Sequence, residues 1–296
     1  MCVSYLTALR KYKASGHPII FEDETYIHGS HTRPKNWTDD SDSSLLAPTS
    51  KGERLVIVHA VGRASFISNA LLIYKSRQKT RDYHNVMGSK NYARWLKTML
   101  IPNLTPNSIL VIDNASYHNT QINKPPTSNS KKDEMKAWLL ETIIPFFDNM
   151  LKAQLYDLIK LNKSKHKCYV IDQILADKGH IVLRLPPYHP DLNPVELIWA
   201  NVKQWVANKN TTFKIKDVEQ LCRQRFKGIG QEEWENVCRH VEKLEQIYYE
   251  QGGIIKDAIE RIIIENNAVD SSGSSDESGD MSEGEGLSGV EELEED

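Results

Sequence analysis

The chain has 296 residues, 40% hydrophobic and 26% charged, enough to bury a core in one large domain or two modest ones. It contains no run of 18 or more apolar residues, no charged start followed by an apolar stretch, and only four scattered cysteines (Cys2, Cys168, Cys222, Cys238). A membrane span, a secretory leader and a disulfide scaffold are therefore not expected, and a reducing compartment fits best. The net charge of −3 hides an asymmetry: residues 270–296 carry 11 acids and no Lys or Arg, which leaves 29 acids and 37 bases in residues 1–269, a net of +8. A basic body points to a polyanion partner or, as readily, to a solvated surface.

In chain order, residues 1–15 read as the end of a helix, with Leu6, Leu9 and Tyr12 at helical spacing. Pro18–His28 reads as a strand and 29–52 as loop. Arg54–Val61 and Ser65–Ile73 read as two strands parted by the hairpin signal Gly62-Arg63-Ala64. Tyr92, Trp95, Leu96 and Met99 form a helical stripe that should end before Pro102, and Ser108–Ile112 reads as a buried strand. Helices are expected over Asp133–Glu141, Leu151–Asn162, Tyr169–Asp177, Asn193–Asn208, 216–227, 231–250 and Ile254–Glu265, with a strand over Ile181–Leu185. From Asp270 onward the chain is Ser, Gly and acid, a composition expected to be disordered. This order predicts an α/β fold with a mixed sheet, followed by a mostly helical C-terminal part.

Three carboxylates stand out. Asp23, in Phe21-Glu22-Asp23-Glu24-Thr25, shares a strand face with Ile19, Phe21, Thr25 and Ile27, while Glu22 and Glu24 face the other way with Ile20 and Tyr26. A carboxylate on an apolar face needs a partner, either a cation or a hydrogen-bonding group, and a strand-end Asp paired with an arginine would serve as well. Asp113 follows four apolar residues, Ile109–Ile112, at the C-terminal end of a buried strand, where α/β sheets build sites and where turn-forming Asp is also common. Glu196 falls at the third position of a helix with Asn193 as cap and Pro194 at its start. That pattern suits a capping box, and the preceding prolines also make it a preorganised metal ligand.

Phe21–Thr25, Val111-Ile112-Asp113-Asn114-Ala115 with Tyr117-His118, and the proline-rich Leu185–Trp199 together resemble the DDE endonuclease domain of Tc1/mariner and IS630-like transposases over roughly residues 17–208. The resemblance implies an RNase H-like fold in which Asp23, Asp113 and Glu196 hold two divalent ions, Mg²⁺ or Mn²⁺, for phosphodiester cleavage and strand transfer on DNA. Such chemistry needs an activated nucleophile and a stabilised leaving oxygen, which a pair of hard cations on oxygen ligands supplies. The resemblance also implies a homodimer and a nuclear location. A DNA- or chromatin-binding protein without activity is the competing expectation.

Two departures from the family pattern bear on organisation. Asp113 and Glu196 lie 83 positions apart, so residues 120–168 are expected to form an inserted helical subdomain within a catalytic domain of 17–208. Only 22 residues precede Asp23, so a catalytic core without a helix-turn-helix module is expected, with 1–16 as the end of a linker helix. Residues 209–267 are read as a helical extension and 268–296 as an acidic tail that could meet a protein partner or fold back on the body. Candidate phosphate-binding residues are Lys75, Arg77, Lys79 and Arg81, in a basic stretch interleaved with Tyr74 and Tyr83, and Lys163 and Lys165 in the insertion. Cys222, Cys238 and His240 lack the spacing of a zinc site and are read as helix-face residues. His118 and His189 could orient a carboxylate, and Trp199, Trp205 and Trp234 are read as core.

Overall fold

A computed structural model describes residues 2–33, 48, 50–76 and 87–270, the last 18 of these as backbone only. Contacts divide the chain into two units, Met1–Gly252 and Gly253–Asp296. In the first, a five-stranded sheet has the order β3-β2-β1-β4-β5. Its strands are β1 (Ile19–His28), β2 (Arg54–Val61), β3 (Leu72–Ser76), β4 (Ile109–Ile112) and β5 (Ile181–Arg184). β3, β2 and β1 form an antiparallel meander, and β1, β4 and β5 run parallel. This is the mixed sheet the sequence led us to expect.

Both faces of the sheet are covered, because every residue of β2 and β4 is buried and no polar face exists to leave open. Against one face pack α1 (Cys2–Ala14), α6 (Pro194–Lys209), α7 (Ile215–Gly228) and the start of α8 (Gln231–Asp270), around Leu9, Phe21, Ile57, Trp199, Val202, Phe226 and Trp234. Against the other pack α2 (Ser89–Trp95) and α5 (Val170–Ala176), around Ile20, Val58, Tyr92, Trp95, Leu110 and Ile171. Helices beyond residue 209 thus share the sheet's core. In the second unit, residues 253–270 complete α8, which is one helix where two were expected.

Three expectations need correction. Ser65–Ile73 is not a strand: Phe66 makes only an isolated bridge to Val61, a turn from Ile67 to Ala70 follows, and β3 begins at Leu72. The β-rich composition there serves packing, since Phe66 stacks on His59 at 4.5 Å and Ala70 accepts the Trp95 indole N–H at 2.9 Å. The helical stripe after Ser89 does not stop before Pro102. It continues as a π-turn, Leu96–Leu100, and a 3₁₀ turn, Ile101–Asn103, where a proline in the first turn sacrifices no hydrogen bond. The third is the extent of the tail, since 268–270 still belong to α8, and its residues from 271 on lie outside those described.

Residues 122–168 leave the sheet domain and return to it through a narrow neck. Gln121 bridges Tyr169, the Ile122 amide donates to the Cys168 carbonyl, and the Val170 amide donates to the Thr120 carbonyl. Between them, α3 (Lys132–Glu141) and α4 (Lys152–Asn162) bury a core of their own, Met135, Trp138, Leu139, Leu155 and Ile159.

Candidate active site

Strand register sets the first two acids side by side. Phe21 pairs with Val111 in the parallel β1–β4 ladder, and two residues further along each chain come Asp23 and Asp113. Both are half-buried. Asp113 sits just past the end of β4, where Oδ1 accepts the Ala115 amide at 2.9 Å and faces His118 Nδ1 at 2.8 Å. Asp23 Oδ2 accepts the indole N–H of Trp199 at 2.9 Å.

Glu196 reaches the same end of the sheet through the start of α6. Asn193 caps the helix by accepting the Val195 amide, and its side-chain amide donates to the Glu22 carbonyl of β1 at 3.4 Å. The cap thereby ties the helix start to the residue beside Asp23. Asn193 does not form the anticipated box with Glu196, so capping is not what Glu196 is for. The proline-rich approach is held from the other side by Asn114, whose amide donates to the Leu185 carbonyl at 2.7 Å. Within this approach Tyr188 is 98% exposed and held at φ 65°, a strained backbone for a bulky residue.

The three acids act on one another. Burial, then Glu196, then Asp113 push the Asp23 carboxyl well above its ordinary range. Glu196 is open to solvent, yet the protein around it removes enough water to raise its carboxyl too, with Asp113 adding to the rise and Lys203 opposing it. Lys203, half-buried on α6, is itself lowered by burial against the pull of Glu196 and Asp23. His59, opposite Asp23 in β2, brings no positive charge, because burial lowers it to about 3.

Asp23, Asp113 and Glu196 make an all-oxygen donor set whose mutual repulsion a hard dication would relieve. In the conformation described, Asp23 and Asp113 are engaged by Trp199 and His118. Among the described residues no three His, Cys, Asp or Glu side chains are close enough to share an ion.

The proposed phosphate contacts are not gathered in one place. Lys75 lies on edge strand β3, 3.6 Å from Glu53, whereas Lys163 and Lys165 are exposed at the end of α4, in the insertion whose neck adjoins α5 and the region of β4. Arg77, Lys79 and Arg81 lie outside the described residues. Cys222 is buried in the core, where burial raises its thiol to about 12. His189 meets Asp191 at 3.8 Å and stacks edge-on against Tyr248.

Sequence reasoning misses four participants. Trp199 is core, as its spacing suggests, but its N–H also serves Asp23. Lys203 could have been found, since Glu196, Trp199 and Lys203 at i, i+3 and i+7 share a helix face. Glu22 and Glu24, beside Asp23, are buried on the opposite face of β1, where Glu22 Oε2 accepts the Tyr92 hydroxyl at 2.7 Å and Glu24 Oε1 the Tyr117 hydroxyl at 2.5 Å.

A mixed sheet of this order, with one acid midway along its central strand, a second just past the end of the parallel neighbour and a third on a flanking helix, is the arrangement of an RNase H-like fold. Residues 18–222 match the family described as DDE superfamily endonuclease, and the chain belongs to that family. Among solved structures, it is similar to the Mos1 mariner paired end complex with Mn, at 15% identity and a TM-score of 0.48, over 83% of this chain and 58% of that one. It is also similar to the Mos1 transposase paired-end complex with left transposon end, at 13% identity and a TM-score of 0.48, over 84% of this chain and 60% of that one. The catalytic domain of Mos1 mariner transposase matches at 14% identity and a TM-score of 0.42, over 83% of this chain and 87% of that one. The chain thus spans about 58% of the length of the paired-end protein.

Proposed function

We propose that this chain is the catalytic part of a Tc1/mariner-type transposase that cuts and joins DNA strands with divalent metal at Asp23, Asp113 and Glu196. The observation that carries the reading is the coupling of the three acids: strand register and the Asn193 cap bring them to one end of the sheet, where Asp113 and Glu196 raise the Asp23 carboxyl beyond what burial alone does. Mg²⁺, or Mn²⁺ in its place, held as a pair, would activate the attacking oxygen and stabilise the leaving one. Asp23 and Asp113 sit on adjacent strands and provide a fixed base, while Glu196 closes the site from α6. Lys203 balances part of the acids' charge and stands where a phosphate could meet it.

DNA as substrate accords with the +8 body, and Lys75, Lys163 and Lys165, with Arg77, Lys79 and Arg81, are its proposed phosphate contacts. A homodimer acting in the nucleus completes the proposal. Glu196→Gln should abolish Mg²⁺-dependent nicking and strand transfer on DNA while the melting midpoint stays unchanged; undiminished cleavage by that variant refutes the assignment. The engagement of Asp23 by Trp199 favours one other reading, a transposase-derived protein that binds DNA without cutting it. DNA binding with no nicking by the wild-type chain in Mg²⁺ or Mn²⁺ would establish it.

A further inference from the structure

We propose that His118 is a positioning residue for Asp113, its imidazole aimed by a brace of buried side chains that starts at the two glutamates flanking Asp23. The inference rests on the metal-site reading above and assigns one residue's work within it.

The geometry begins at Asp113 Oδ1, 2.8 Å from His118 Nδ1. An ionised carboxylate only accepts, so Nδ1 carries the proton and donates it to Asp113. The ring is 2% exposed, and among the described residues Nε2 meets no hydrogen-bond partner. A buried polar nitrogen left unpaired is costly whether it would donate or accept. The ring therefore sits where its Nδ1 is useful and not where both nitrogens would be satisfied.

Two tyrosine rings, themselves in contact at 5.7 Å, hold it there. The Tyr92 ring lies 4.3 Å from the imidazole and the Tyr117 ring 4.4 Å, centroid to centroid. Each tyrosine is anchored in turn, Tyr92 by its hydroxyl to Glu22 and Tyr117 by its hydroxyl to Glu24. Glu22 and Glu24 bracket Asp23 on β1 but point to the opposite face. One strand thus presents Asp23 on one face and, on the other, braces the histidine that holds Asp113. Arg184 of β5 steadies the same segment, donating to Asn119 Oδ1 at 2.9 Å while its guanidinium pairs with Asp172 at 2.7 Å. Outer partners of this kind orient a metal's ligands, and losing one weakens metal binding.

The test uses Mn²⁺ titrations of the full chain followed by electron paramagnetic resonance, with melting midpoints recorded beside them. In His118→Asn the new side-chain amide would fall where Nδ1 stood, whereas in His118→Gln it reaches the place of Nε2. His118→Gln and His118→Ala should weaken Mn²⁺ binding roughly 10- to 100-fold, and His118→Asn should restore most of the affinity. The wild-type chain should also show a slowly exchanging low-field imidazole N–H proton resonance that moves upfield in Asp113→Ala, a readout that holds even where the Gln and Ala variants fail to fold. Wild-type affinity in a folded His118→Gln, an Asn variant as weak as the Ala one, or no such resonance would overturn the inference. Asp113→Ala separates the two levels: if it leaves Mn²⁺ binding intact, the metal-site reading fails and takes this inference with it. If it abolishes binding while His118→Gln does not, only the role of His118 falls.

Discussion

At the scale of single residues, Trp199 shows why a correct sequence reading can be incomplete. Helical spacing marks it as a core position, and it is 1% exposed. Spacing says nothing about which way an indole N–H points, and here it points at Asp23 from 176 residues away. Trp199→Phe keeps most of the packing and removes that donor. It should cost roughly 1–3 kcal/mol, the usual penalty for leaving a buried polar partner unpaired. Chemical denaturation of Trp199→Phe, Asp23→Asn and the double variant checks this: the two changes should be clearly non-additive, and additive losses would reduce Trp199 to packing alone. The alternation Glu22-Asp23-Glu24 was legible to the same depth. Period two assigns the three carboxylates to faces, and the faces are as expected, with Phe21 and Ile27 in one core layer and Ile20 in the other. Whether a face is covered is decided by Tyr92 and Tyr117, distant in sequence, so the burial of Glu22 and Glu24 could not be read from β1.

At the scale of elements, what was legible followed from period, caps and prolines. Asn193-Pro194 marks the start of α6, and the Ile109–Ile112 run marks a central strand, because these signals are local. The segment 65–73 misled because β-rich composition does not distinguish a strand from a turn whose aromatic side chain is packed inward. Insertion of 122–168 was legible as excess length, but its neck was not, since the bridge between Gln121 and Tyr169 depends on two segments that nothing local connects. The neck has a measurable consequence. Its closing hydrogen bonds bring residues 122 and 168 within one amide of each other, and the excursion has its own core. Replacing residues 123–167 with a short Asn-Gly turn should therefore leave a cooperatively unfolding domain with the sheet intact, as circular dichroism and a thermal melt would show. A molten product without a cooperative transition would mean that the insertion is part of the domain's stability.

At the scale of the whole molecule, the arithmetic of charge and the order of the strands carry different kinds of information. Sheet order β3-β2-β1-β4-β5 joins an antiparallel meander to two parallel strands, and its mixed character, though not its order, was within reach of the sequence. The sharing of one core by the sheet and α7 was not, because Val218, Cys222 and Phe226 look the same on a separate helical domain. Charge predicts behaviour and not shape. With a net of +8 over residues 1–269, DNA affinity should fall linearly on a log–log plot against salt, with a slope of about −0.9 for each phosphate contacted. Fluorescence anisotropy with a labelled duplex between low and moderate salt measures it, and affinity indifferent to salt would remove phosphate contact as the basis of binding.

The pinched neck also changes what sequence spacing can be used for. Because residues 120–122 and 168–170 meet, everything between them is a side branch, and the path that matters from Asp113 to Glu196 runs through the branch point instead of around the branch. The greater part of the 83-position interval is then ornament and says nothing of how the two acids are placed. A chain could lengthen, shorten or exchange that ornament with the two acids undisturbed, and a search that ranks candidates by acid-to-acid interval would pass over any protein that had done so.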